Sequence, residues 1–308
     1  MTSPPAEHPD AGWFTPPFTI KRPKPQTLPV VFDSPHSGRR YPPGFLARTR
    51  LDAVAIRRSE DCFVDQLFDA VVERGAPLLT AHFPRAYIDV NREPYELDPA
   101  MFADPLPLHA NTQSERVRSG LGTIAKVVAD GSEIYSDKLA YAADAAWRIK
   151  SLHEPYHHAL GALLKETEQQ FGRVVLVNCH SMPSPGASPP TAPPRVRADI
   201  ILGDRFGCSC AGPLVSAAES YLRGRGYRVA RNVPYAGGYI CIQYGKPGLG
   251  RHVFQIEINR ALYMSEAALQ PHAGFARVAA DMAGLAPVLA DALATLDQDG
   301  PSLPLAAE

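Results

Sequence analysis

The chain is 308 residues long, 45% hydrophobic and 20% charged, with a formal net charge of −1. That composition describes an ordinary globular protein with a sizeable core, and its near-neutral balance gives no global field for nucleic acid or an anionic membrane. Residues 1–12 hold no apolar run of the signal-peptide kind, no stretch approaches the roughly 18 consecutive apolar residues of a membrane span, and five cysteines point to reduced thiols in a cytoplasm.

In chain order, residues 1–27 are proline-rich and aperiodic and read as an extended surface arm. Residues 28–33 form the first strand. Ser59 suits an N-cap for a helix over 60–75, with Phe63, Val64, Leu67, Phe68, Val71 and Val72 on one face and Gly75 as its stop. Strands follow at 77–82 and 86–90. Residues 91–133 lack a period and contain several Pro and Gly, which predicts a long irregular excursion of the kind that carries function. Residues 136–171 are mostly helical, with Gly172 as a stop. The apolar run 174–177 is a strand, and the proline-dense stretch 183–194 after it resembles a lid.

Further on, 199–202 is a strand and 212–224 a helix. Residues 227–230 and 239–244 are strand candidates. The run 253–259 alternates, with Gln255, Glu257 and Asn259 on one side and Phe254, Ile256 and Ile258 on the other. Residues 272–296 close the fold as an Ala- and Leu-rich helix, and 298–308 are expected to fray. Strands alternating with helices, several of them uninterrupted apolar runs, predict one α/β domain over 28–297 with a mostly parallel, mixed sheet flanked by helices.

Three runs share one design. Val30–Phe32 leads to Asp33 and His36, Tyr87–Val90 to Asn91 and Arg92, and Val174–Val177 to Asn178 and His180. Ligands of open α/β sheets bind beyond the carboxyl ends of the strands, so parallel neighbours would bring His36, Arg92 and His180 to one rim. Two histidines and a carboxylate suit a catalytic zinc site with an open position for water. Glu60 and Asp61 both supply a carboxylate near the start of the expected helix, where either also suits the helix dipole. Glu257, flanked by isoleucines, needs a partner or a raised pKa, and either fits a general acid or base. Arg85, Arg92 and Arg260 beside strand ends have the planar forks that hold carboxylates. Ser34, Ser37 and Ser181 lack a Gly-x-Ser-x-Gly elbow, and Cys208-Ser-Cys210 lacks a second pair at zinc-finger spacing.

Taken together, Ser34-Pro35-His36-Ser37-Gly38, Glu60-Asp61 with Val64-Asp65, Asp89-Val90-Asn91-Arg92, Cys179-His180-Ser181, Gly237-Gly238-Tyr239-Ile240 and the Glu257 strand ending in Leu262-Tyr263-Met264 resemble the N-formylglutamate amidohydrolases. The resemblance implies a fold similar to the zinc carboxypeptidases and the phosphorylase/hydrolase-like group. It implies hydrolysis of N-formyl-L-glutamate to formate and L-glutamate, in histidine breakdown. Carried over by position, His36, Asp61 and His180 would hold Zn²⁺ or another divalent metal, with Asp61 preferred to Glu60. Glu257 would be the acid/base, and Asn91, Arg92, Asn259 and Arg260 would orient the substrate. Other readings are a deacylase or small-peptide amidase for another acyl group, and a non-catalytic ligand-binding member of the fold. The expected partner is a small N-acyl amino acid, with no nucleic acid and no membrane.

Overall fold

In a computed structural model, which describes residues 8–184 and 198–296, the apolar runs become the middle of a seven-stranded sheet. Its strands are β1 (Phe18–Lys21), β2 (Val30–Ser34), β3 (Leu78–Ala81), β4 (Val174–Met182), β5 (Ile200–Gly203), β6 (Val229–Arg231) and β7 (Arg251–Asn259), in the order β1-β3-β2-β4-β7-β5-β6. The four central strands β3, β2, β4 and β7 are parallel, β5 runs against β7, and β1 pairs antiparallel with β3 at the edge. The mostly parallel, mixed α/β sheet is therefore as expected.

The period of two explains why the central strands read as unbroken apolar runs. Val30, Phe32, Val175 and Val177 face one core, closed by the helices Gly212–Gly224, Phe275–Ala283 and Leu285–Thr295. Val31, Val174, Leu176 and Val253 face the other, closed by the helix Glu154–Phe171 and parts of the 91–139 excursion. Each such buried aliphatic or aromatic side chain contributes roughly 1.5–3 kcal/mol. The C-terminal helix pair, Phe275–Thr295, is apolar and long enough to cross a membrane by composition, but Val278, Met282, Leu289 and Leu293 pack into the first core.

Several elements differ from the sequence reading. No continuous helix spans 60–75. Ala55–Ser59 is a 3₁₀ turn, Glu60 is extended, Phe63 adopts a left-handed backbone (φ 64°), and only Val64–Leu67 is α-helical. The Asp61 N–H donates to the His36 carbonyl instead of entering a helical ladder. Residues 86–90 are turns, not a strand, because the Tyr87 and Ile88 N–H groups donate back to Pro84. Tyr239–Tyr244 is a helix, not a strand, with the Ile240 N–H held by Asn91 Oδ1. The C-terminal helix divides at Gly284. Strand β4 continues past its apolar half and carries Asn178, Cys179 and His180 within the ladder. Residues 18–21, read as part of the arm, add the edge strand β1. The end 298–308 and most of the expected lid, 185–194, lie outside the described residues.

Candidate active site

Sheet register decides what meets on the rim. Asp33 pairs with Asn178 across β2 and β4, and His180 pairs with Glu257 across β4 and β7. The turn after β2 therefore sets His36 beside the end of β4, and β7 brings Glu257 alongside. Asp61 arrives from a separate loop, fixed by its N–H bond to the His36 carbonyl at 3.0 Å. His36, Asp61 and His180 are all buried, and their ligand atoms lie within 4.8 Å of one another. His180 Nδ1 is 2.9 Å and His36 Nδ1 3.4 Å from the same Asp61 oxygen, Oδ2. Glu60, the other acid considered, turns away into a paired contact with Arg57 and a bond from Tyr41.

The outer nitrogens fix the tautomers. His36 Nε2 is 2.7 Å from Asp89 Oδ1, and His180 Nε2 is 2.7 Å from Asn178 Oδ1. Facing oxygen acceptors, both Nε2 atoms are donors, which leaves the two Nδ1 lone pairs aimed inward. His36 Nδ1 is buried without a hydrogen-bond partner. A bare lone pair held opposite a carboxylate oxygen is costly unless a cation sits between them. Imidazole nitrogens backed by a carboxylate and an amide, with a third oxygen ligand, are the donor set of a divalent-metal site. The three residues fit such a metal.

The charges around the triangle are set by burial and by neighbours. Burial alone would raise the Asp61 carboxyl, but the imidazoles of His180 and His36 beside it outweigh that and hold Asp61 well below the ordinary carboxylate range. Asp89 is likewise held low against its burial by Arg92, His36 and Arg85. Glu257 goes the other way, pushed up to about 7 by burial, with the charge of His180 opposing and that of Asp61 adding. Gln255 Nε2 donates to its Oε1 at 2.7 Å. A carboxylate that exchanges a proton near neutrality is suited to general acid/base work.

A cleft of about 360 Å³ opens onto this group and is lined by His36, His180, Glu257, Asp89, Asn91, Arg85, Arg92, Arg116, Arg260 and the turn Tyr235–Gly238. Asn91 ties the wall together. Its Oδ1 accepts from Ile240, and its Nδ2 lies 3.2 Å from His180 Nε2, within reach of Asn178 and Gln255. Arg92 donates to the Leu121 and Asn91 carbonyls, and Arg260 to Asp61, Ser181 and the Arg58 carbonyl. Asn259 is not among the lining residues; its side chain caps the turn Arg260–Leu262. Sequence reasoning assigned no role to Asp89 as the partner of His36, or to Gln255. It passed over Arg116 altogether, which sits in an aperiodic stretch where no pattern marks a residue.

A family model described as N-formylglutamate amidohydrolase matches residues 28–264. The chain is 28% identical over 245 residues to an N-formylglutamate deformylase of Pseudomonas aeruginosa, covering 78% of this chain and 84% of that one. A deformylase of the same name from Pseudomonas putida is 26% identical over 243 residues, covering 78% and 83%. The crystal structure of an N-formylglutamate amidohydrolase from Ralstonia eutropha superposes with a TM-score of 0.82 at 39% identity, covering 92% of this chain and 99% of that one. A gene product of Agrobacterium tumefaciens shares the fold at 20% identity and a TM-score of 0.61, with 91% and 96% covered.

Proposed function

This chain belongs to the N-formylglutamate amidohydrolase family, and from that premise we propose that it hydrolyses N-formyl-L-glutamate to formate and L-glutamate with the help of a divalent metal. The observation that carries the metal is the buried His36–Asp61–His180 triangle with its orphaned His36 Nδ1. Zinc is the first candidate, and when bound such an ion polarises an amide carbonyl and acidifies a water. His36, Asp61 and His180 would hold it.

The chain's own groups supply the rest. Glu257, buried beside His180 and poised near neutrality, takes the proton of the attacking water and returns it to the amide nitrogen as the C–N bond breaks. Gln255 orients that carboxylate through its bond to Oε1. Arg92 and Arg260 present positive charge to the cleft and attract a substrate carboxylate, while Asn91 fixes the wall by accepting from the Ile240 N–H. The buried thiols Cys62, Cys179, Cys210 and Cys241 suit a reducing cytoplasm, where the reaction serves histidine breakdown.

The test is a panel of N-formyl, N-acetyl and N-succinyl amino acids run with metal analysis and chelation. Release of formate from N-formyl-L-glutamate, lost on chelation and restored by added metal, is expected. Full activity in metal-free protein would remove the metal from the proposal. Turnover confined to another acyl group would replace the substrate and keep the hydrolase.

A further inference from the structure

Resting on the proposed hydrolysis of N-formyl-L-glutamate, we infer that Arg116 is the residue that selects an acidic side chain on the substrate, by pairing with its distal carboxylate. The substrate carries two carboxylates, and the lining of the cleft shows which cations are already committed. Arg85 donates to Asp89 at 2.9 Å, and Arg92 reaches the same carboxylate at 3.7 Å. Arg260 spends its three nitrogens on Asp61, Ser181 and a backbone carbonyl. Arg116 alone among these four makes no side-chain hydrogen bond or ion pair with any described residue, although it lines the same cleft.

Its position is built, not incidental. Ser114 caps the short helix Glu115–Arg118 by accepting from the Val117 N–H. The chain then turns so that the Leu121 N–H bonds the Arg116 carbonyl at 2.7 Å, while the Leu121 carbonyl accepts from Arg92 Nε at 2.9 Å. One peptide segment thus holds Arg116 and Arg92 on the same wall. Burial above all, with the charges of Arg85 and Arg116 added, pushes the Arg92 guanidinium down to about 10. Two guanidiniums kept on one wall attract an anion, and Arg116, whose donors meet no described side chain, is the one that can take it in a forked contact. Near the His36–Asp61–His180 end the scissile amide would occupy the cleft, so a side-chain carboxylate extending away from it would complete the charge balance at Arg116.

The experiment compares kcat/KM for N-formyl-L-glutamate and N-formyl-L-glutamine, which keeps the α-carboxylate and has an uncharged isosteric side chain, in the wild type, Arg116→Ala and Arg116→Gln, with circular dichroism and unfolding curves as fold controls. Loss of a charge-assisted pair is expected to lower the glutamate-to-glutamine preference about 10- to 100-fold, mainly through the KM for the acidic substrate. Arg116→Glu should bring the preference below one. A preference unchanged in a folded, active Arg116→Gln enzyme would overturn the assignment and leave the hydrolase reading standing. A wild type that hydrolyses neither compound would overturn both. If Arg116→Ala fails to fold, the Gln variant, which keeps the aliphatic stem and a donor, decides the question.

Discussion

His36 has one nitrogen tied to Asp89 and the other bare, and that asymmetry sets what each substitution should do. His36→Ala and His180→Ala should each abolish stoichiometric metal binding, read by metal analysis of purified protein. Asp89→Asn keeps the shape but weakens the hold on Nε2, and losses of this kind cost about 10- to 100-fold in metal affinity. Calorimetric titration of zinc into chelator-stripped protein measures it, and an unchanged affinity would deny Asp89 its orienting role. Glu257→Gln should lower kcat by roughly 10²- to 10⁴-fold while metal content stays. Its effect on stability has a definite sign. A carboxyl whose folded pKa is raised to about 7 contributes stability that is complete below its unfolded value and is lost as pH rises through about 7. In metal-free protein the Tm of the wild type should therefore fall relative to Glu257→Gln between pH 5 and pH 8. Parallel pH curves for the two proteins would contradict that. His36, His180 and Glu257 were legible as candidates because each follows or sits in an apolar strand. The pairing of Asp89 with His36 was not, since 53 residues separate them.

Two elements show where local pattern misleads. The face Phe63, Val64, Leu67, Phe68 and Val71 has helical spacing, yet the chain uses it in a broken run of short turns. Continuing a helix through residue 61 would withdraw the Asp61 N–H from His36 and turn its carboxylate away; tertiary contact outweighs propensity, which is worth only tenths of a kcal/mol per residue. Residues 239–244 are apolar and aromatic enough for a strand, but their first turn is fixed by Asn91, and they fold as a helix whose Ile240, Cys241 and Tyr244 join the second core. The turn before them leaves no room for a side chain. A Cβ on Gly238 would lie 2.4 Å from the Asn91 amide, and Gly237 sits at φ 117°, which favours glycine. Gly238→Ala should cost about 1–3 kcal/mol of stability and displace Asn91 from His180. Denaturant unfolding checks the first effect and kcat the second; a fully active, equally stable variant would show that the wall yields easily.

At the scale of the molecule, the parallel arrangement of β2, β4 and β7 makes one rim from residues that lie far apart in the chain. Because the proposed metal closes a site that exists only in the folded state, it should stabilise by mass action, about 2.7 kcal/mol at a hundredfold excess over Kd. Chelation should accordingly lower Tm by several degrees, on the order of 5 °C for a domain of this size, and added zinc should restore it. Scanning fluorimetry over a zinc series measures the effect, and a Tm indifferent to both treatments would argue against a metal in this triangle. The N-terminal segment takes part in the same architecture, since β1 pairs with β3 and itself becomes the short edge strand of the sheet.

By itself the sequence determined the fold class and the central strands, and it marked the two histidine candidates, His36 and His180. Hydrophobic periodicity is a local property, and a histidine placed after an apolar run is marked by its neighbours. Only the tertiary structure decided between Asp61 and Glu60, which are adjacent in sequence and differ in what other segments offer them: two imidazoles for one, Arg57 and Tyr41 for the other. It alone also separated Arg92 and Arg260, bonded to their neighbours, from Arg116, whose side chain makes no hydrogen bond or ion pair among the described residues. Hydrogen-bond commitment is settled by groups remote along the chain, and no window of sequence contains them.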